Sequence, residues 1–292
     1  MSTTILKNNL QHNTENDFDF NVSVVDLNAV KAIEEKLIQI FNEDKKLVQP
    51  VFLFINKGFS TKLAYFLSGH IKRSVAVGIA GETASGKSTF TLDILETIVE
   101  FQNKYSLEQI FTRINTDDYY YDRSKEVIKA GSFANFAKDY DLDVPAAFEL
   151  DLLKNHVEQL VLGKEVWLPK YDMSGTALRY NNYSLARPNK IIVSEGLFNL
   201  SGQIKDVFDF CIYVDINQEE QKERFYKRAA QRGLGDSAKR VYDNAVSKAE
   251  IYVKPTSKNA DVIINGMADR EDYRKIANKL LEIVISTQKA RI

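Results

Sequence analysis

The sequence predicts an α/β fold, a parallel sheet covered on both faces by helices, and three observations carry that expectation. First, the short β-branched runs SVAVGIA, QIFTRIN, KIIVSEGLF, DFCIYVDI and ADVIING alternate with helical patterns at 87–101, 146–162, 218–232 and 269–287. That is the βαβ rhythm of a parallel sheet, and the near-continuous apolar character of most runs suits strands buried on both faces. Second, the first run leads straight into Gly81-Glu82-Thr83-Ala84-Ser85-Gly86-Lys87-Ser88, which satisfies G-x-x-x-x-G-K-[ST] between a strand and a helix. Third, 292 residues at 44% hydrophobic and 27% charged, with 5 Pro and 13 Gly, exclude disordered and low-complexity classes. A chain of this size buries roughly three quarters of its unfolded surface. The architecture expected is a P-loop NTPase-type parallel sheet flanked by helices, with a mainly helical N-terminal extension.

Taken in order, residues 1 to about 20 are rich in Asn, Thr and Gln and read as a frayed leader. From Asp26, the residues Val30, Ile33, Leu37, Ile38 and Phe41 recur at helical spacing, and an apolar run, Val51 to Ile55, precedes a second helical pattern from Ser60 to Leu67. Residues 1–72 are therefore assigned to the extension and 73–292 to the P-loop domain. The amino terminus lacks the apolar stretch of a signal peptide, and Val51 to Leu67 is broken by Asn56, Lys57, Ser60 and Lys62, far short of the roughly 20 apolar residues that span a bilayer. With 39 Lys plus Arg against 40 Asp plus Glu, the chain has no bulk attraction for polyanions, so neither nucleic acid nor membrane is expected as a partner. A lone Cys211 and only 3 His exclude an internal disulfide and a Cys/His zinc site, and point to the cytoplasm.

The chemistry begins at the loop. Gly81 and Gly86 let the backbone turn tightly, the N–H groups of Glu82, Thr83, Ala84, Ser85 and the first helical residues through Thr89 form an anion nest, and Lys87 brings a point charge to the phosphates. Ser88 is placed to ligate Mg²⁺. A guanine-reading N-K-x-D after the loop is missing: Asn56-Lys57-Gly58-Phe59 precedes it and lacks the Asp, while Asn189-Lys190 runs on into Ile191-Ile192. The second strand, QIFTRIN, ends in Thr116-Asp117-Asp118-Tyr119-Tyr120-Tyr121-Asp122, which puts carboxylates at the edge where open α/β sheets bind ligands. A carboxylate there can accept a hydroxyl proton and help hold magnesium, the two needs of a kinase acting on an alcohol. The alternative, a solvated acidic turn, loses weight with a phosphate loop in the same sheet.

From here the chain resembles the uridine kinase and phosphoribulokinase family of P-loop kinases over about residues 73–268, most of all its uridine/cytidine kinase branch. GIAGETASGKST resembles the family's Walker loop. TDDYYYD resembles its second-strand motif, which implies Asp117 as catalytic base and metal contact and Tyr120 as a substrate contact. Asp143-Val144-Pro145 resembles an Asp-His-Pro segment whose Asp binds ribose hydroxyls, with Asp141 a competitor for that role. Leu168-Pro169-Lys170-Tyr171-Asp172 resembles the segment at the nucleobase, and IIVSEGLF the strand whose Glu, here Glu195, completes the magnesium shell with Ser88. Arg224, Arg228 and Arg232 share a helical face and resemble the arginine lid, about 218–250, with Arg224 at substrate and Arg228 and Arg232 on the developing charge. Two departures stand out: Val144 and Thr176 occupy positions where the family carries His. His156 and Asp215 are read as structural. The resemblance implies ATP and Mg²⁺ as cofactors and transfer of the γ-phosphoryl group to the 5′-hydroxyl of uridine or cytidine. Another small alcohol (pantothenate, ribulose 5-phosphate or glycerate) or a non-catalytic ATP-binding regulator are the alternatives, and homo-oligomerisation is left open.

Overall fold

A six-stranded, mostly parallel sheet organises the chain. The computed structural model describes residues 27–289; the expected leader lies outside the described residues. Helices α1 (Leu27–Glu43) and α2 (Lys45–Val48) lead to strand β1 (Phe52–Ile55) and helix α3 (Phe59–Leu67). Strand β2 (Val75–Gly81), helix α4 (Lys87–Lys104) and strand β3 (Phe111–Asn115) follow, then α5 (Ser124–Ala130), α6 (Phe133–Asp139) and α7 (Leu150–Val161). A small antiparallel pair, β4 (Val166–Leu168) and β5 (Ser184–Ala186), precedes β6 (Ile191–Glu195) and β7 (Phe210–Asp215). The chain ends with α8 (Gln218–Gln231), α9 (Ala238–Tyr252), β8 (Val262–Asn265) and α10 (Arg270–Lys289).

Strands β8, β7, β2, β6 and β3 are parallel, as the alternating pattern requires. Successive residues of β2 point to opposite faces: Ala76 and Ala80 pack with Leu153, Val157 and Leu160 of α7, while Val75 and Ile79 pack with Phe90, Leu95 and Ile98 of α4 and Ile276 of α10. Small residues on the first face let α7 approach closely. The second core also takes in Val30, Ile33 and Leu37 of α1 and Leu63 of α3. The run Val51 to Ile55 yields β1, which pairs antiparallel with β8, Phe52 opposite Ile264, so the N-terminal segment adds an edge strand to this sheet.

The helix expected from Ala146 starts later, at Leu150. Pro145 opens a single 3₁₀ turn that ends at Phe148 in extended backbone, since proline's ring fixes φ and removes a donor. That extended residue bridges Tyr120, tying the acidic motif after β3 to the segment that carries Asp143. The β4–β5 pair escaped the sequence reading because three-residue strands are too short to show period-2 alternation.

Candidate active site

All five parallel strands present their carboxyl ends to one edge, and the loop Gly81 to Gly86 lies across its centre. Gly86 sits at φ 95°, a left-handed conformation that favours glycine, immediately before α4. Gly266 is required for a different reason: a Cβ there would stand 2.0 Å from the carbonyl of Ser85, so the loop packs against bare backbone. Lys87 donates to the carbonyl of Glu82 at 2.7 Å. Burial pushes its ammonium down to about 8, against the pull of Asp117 and Glu195.

Two cavities meet at this loop. The first, about 250 Å³, is lined by Lys87, Ser88, Asp117, Tyr120, Asp143 and Glu195, with Arg228 and Arg232 arriving from α8 and its end. Asp117 enters because β3 passes into a 3₁₀ turn capped by Asn115, whose side chain accepts from the Asp117 N–H at 3.2 Å. Burial raises its carboxyl above the usual range, with Glu195 and Asp118 adding to the effect and Lys87 and Arg228 opposing it. The neighbouring acids turn elsewhere. Asp118 accepts from Lys170 at 3.0 Å and from the Tyr171 N–H, and Asp122 accepts from the N–H and hydroxyl of Ser124 and from the Arg179 N–H. The acidic motif thus divides into one cavity carboxylate and two structural ones.

Asp143 faces the same cavity, its carboxyl pushed up to about 6 by burial, then by Asp117 and Asp141. Its competitor Asp141 pairs with Lys248 at 2.7 Å and is not among the residues lining the cavity. Tyr120 lies against Phe148, ring centroids 3.9 Å apart, with Tyr171 on it at 5.0 Å. Tyr171 therefore backs Tyr120 and is not among the residues lining the cavity. Thr176 bonds the Asp172 carboxylate instead of reaching in, and the wall on that side is apolar: Leu142, Met173, Leu197, Val241 and Ala245. His156 meets the Tyr119 hydroxyl at 2.8 Å within the core, a structural place.

Helix α8 docks directly on the loop. Arg228 donates to the Thr83 hydroxyl at 2.7 Å, and Gln221 to the Glu82 carboxylate at 3.2 Å. Arg224 turns the other way, into the second cavity, where it donates to the Gly266 carbonyl at 2.7 Å. That cavity, about 400 Å³, is lined by residues 84–89, Arg224, Gly266, Met267, Asp269 and Arg270. Of this lining the sequence named 84–89 and Arg224 but not Gly266, Met267, Asp269 or Arg270, for which the Asn265-Gly266 pair after the last strand was the available signal. It also missed Asn199, which is wholly buried, accepts from Thr116 at 3.0 Å and donates to Ser194 at 3.1 Å and the Ile79 carbonyl at 3.3 Å. Asn199 thus links the ends of β2, β3 and β6 beside Asp117 and Glu195.

A hard cation would suit this donor set. Ser88 and Glu195 line the first cavity, and Glu195 Oε2 is buried without a partner. Among the described residues no group of three or more His, Cys, Asp or Glu that could hold a metal ion is assembled.

A phosphate loop at the carboxyl edge of a parallel sheet, with a buried carboxylate across the cavity from its lysine and an arginine helix above, defines a P-loop kinase. Residues 76–272 match the model of the phosphoribulokinase / uridine kinase family. A uridine kinase of Halobacterium salinarum is 31% identical over 215 residues, 72% of this chain and 85% of that one. One of Brevibacillus brevis is 29% identical over 219 residues, covering 73% and 95%. Among solved structures, D-glycerate 3-kinase from Cryptococcus neoformans aligns with a TM-score of 0.50 at 15% identity, over 71% of this chain and 94% of that one, a likeness of fold alone. The chain belongs to the phosphoribulokinase / uridine kinase family and is an ATP-dependent phosphotransferase.

Proposed function

We propose that the protein transfers the γ-phosphoryl group of ATP to the 5′-hydroxyl of a ribonucleoside, uridine or cytidine, in the presence of Mg²⁺. The observation that carries this reading is the charge balance of the acceptor side. Asp117 and Asp143 face one cavity, while the cations behind its acceptor wall are committed: Lys170 to Asp118, Arg179 to Glu149 and Lys248 to Asp141. Lys87, Arg228 and Arg232 line the same cavity and are taken up, in this reading, by the phosphates of ATP. An acceptor bringing its own carboxylate or phosphate, such as pantothenate, glycerate or ribulose 5-phosphate, would then set that charge against two carboxylates and an apolar wall. A neutral polyol on an apolar-faced ring fits better, and the uridine kinases of Halobacterium salinarum and Brevibacillus brevis support the choice.

In this reading Asp117 accepts the proton of the attacking hydroxyl, and Asp143 holds the ribose hydroxyls. Lys87 and the loop N–H groups hold the phosphates, and Ser88 and Glu195 would hold Mg²⁺, which when bound would supply charge neutralisation for phosphoryl transfer. Arg228 and Arg232 stabilise charge developing in transit. Tyr120 is the floor of the acceptor site, Tyr171 supports it from behind, and Arg224 serves the nucleotide side. Placement of Asp117 and Glu195 in one cavity with the loop argues against a regulator without turnover. An ATP requirement and a lone cysteine favour the cytoplasm. Coupled ADP release across uridine, cytidine, pantothenate, glycerate and ribulose 5-phosphate tests the reading: turnover with the two nucleosides supports it, and turnover confined to an anionic alcohol removes it.

A further inference from the structure

Arg113 stands at the middle of β3, a strand at the edge of the sheet. In the parallel register Arg113 lies beside Val193 and Asn115 beside Glu195, so Arg113 and Glu195 are diagonal neighbours on one face, within reach of a long side chain. Arg113 Nη2 donates to Glu195 Oε1. The partners differ in exposure: the Arg113 side chain is 36% exposed, along a cleft with Leu92, Leu95, Glu96 and Val99 of α4, whereas that of Glu195 is 4% exposed. The second oxygen, Oε2, is buried with no partner, in a residue that lines the cavity of Lys87, Ser88 and Asp117. A carboxylate can give a cation two oxygens, and here one of them is already taken.

We propose that Arg113 is a positioning residue that makes Glu195 a one-oxygen ligand and sets how tightly Mg²⁺ is held with the nucleotide. The inference rests on the kinase reading above. A guanidinium cannot shed its charge in a protein, so a fixed positive group stands beside the place of a dication and opposes it. Removing that charge strengthens Mg²⁺ binding, whereas a merely structural loss would loosen the carboxylate and weaken it.

The test is calorimetric titration of Mg²⁺ into the full chain saturated with a non-hydrolysable ATP analogue. Arg113→Gln should lower the apparent Kd for Mg²⁺ by roughly three- to thirtyfold, the scale of one partly screened charge at close range. Arg113→Lys, which keeps the charge, should stay within about twofold of the wild type. Arg113→Leu, suited to the apolar cleft, repeats the measurement should the glutamine variant fail to fold, and should tighten Mg²⁺ likewise. If both neutral variants bind Mg²⁺ as the wild type does, or more weakly, while Glu195→Gln weakens it, the role of Arg113 is overturned and the kinase reading stands. If Glu195→Gln leaves Mg²⁺ affinity unchanged, the metal role of Glu195 fails, and that of Arg113 with it.

Discussion

Replacing Asp143 by Asn should make the ligand-free protein more stable at neutral pH while it damages acceptor binding. The Asp143 carboxyl rises from 3.8 to about 6 because burial, Asp117 and Asp141 all disfavour its charge. Below about pH 4 the group is protonated in both the folded and the unfolded chain and contributes no difference. Between pH 4 and 6 the folded chain keeps a proton that the unfolded chain has released, so stability falls as pH rises. Above pH 6 the whole cost is present, at most about 3 kcal/mol from the size of the shift. The carboxyl faces a cavity that admits water, so screening reduces this to about 1–3 kcal/mol. Asparagine has the same shape and no charge to desolvate. At pH 7.5, Asp143→Asn should therefore raise Tm by about 3–8 °C for a chain of this size. At pH 4.5, where most of the cost is absent, the gain should shrink to about 2 °C or less. Scanning calorimetry of the ligand-free wild type and variant at both pH values decides the matter. A Tm gain of equal size at both pH values, or none at pH 7.5, would refute the assignment of Asp143 as a strained acid held for function.

Other perturbations read other parts of the site. Asp117→Asn should lower kcat by about 10² or more while the affinity for a non-hydrolysable ATP analogue changes little; near-normal turnover would remove Asp117 from the proton transfer. Lys87→Ala should weaken nucleotide binding and transfer together, since its charge is felt before and during reaction; equal affinity and activity in an analogue-binding and turnover assay would sink the loop assignment. Asn199→Ala should cost roughly 1–3 kcal/mol, because it removes three buried hydrogen bonds and leaves Thr116 and Ser194 only their long mutual contact at 3.5 Å, seen as a lower urea midpoint with unchanged slope. Its kcat should fall more than its KM for ATP rises, because β3 and β6 lose their common anchor; a change in stability without any change in kcat would confine Asn199 to folding.

The parallel sheet and the phosphate loop could be read from sequence because their signals are local. Continuous apolar runs such as IIVSE in β6 and DFCIYVD around β7 mark strands buried on both faces, and the loop's function is carried by its own backbone. The acceptor side was harder, since its chemistry depends on which side chains are turned inward. Asp117 and Asp118 are adjacent and chemically alike, yet one enters the cavity and the other anchors Lys170 and the Tyr171 N–H. The resemblance implied Tyr171 at the nucleobase and showed Thr176 in the place of a histidine; in the fold Tyr171 stacks behind Tyr120 and Thr176 bonds the Asp172 carboxylate, contacts that no local spacing discloses. Arg113 and Asn199 were invisible for a related reason: each gains its meaning from a partner about 80 residues away in the chain, Glu195 in one case and Thr116 in the other.

The measurement that bears most directly on the central claim is kcat/KM for uridine, cytidine and 2′-deoxyuridine, side by side under saturating ATP and Mg²⁺. The cavity wall of Leu142, Met173, Leu197 and Val241 offers no hydrogen-bonding side chain to a base edge, so uridine and cytidine should differ by about tenfold or less. Loss of the 2′-hydroxyl leaves Asp143 short of a partner and should lower kcat/KM by roughly ten- to a hundredfold. Equal use of 2′-deoxyuridine would remove Asp143 from ribose recognition. Failure of all three nucleosides, with an anionic alcohol such as pantothenate phosphorylated instead, would contradict the account and leave only the kinase class.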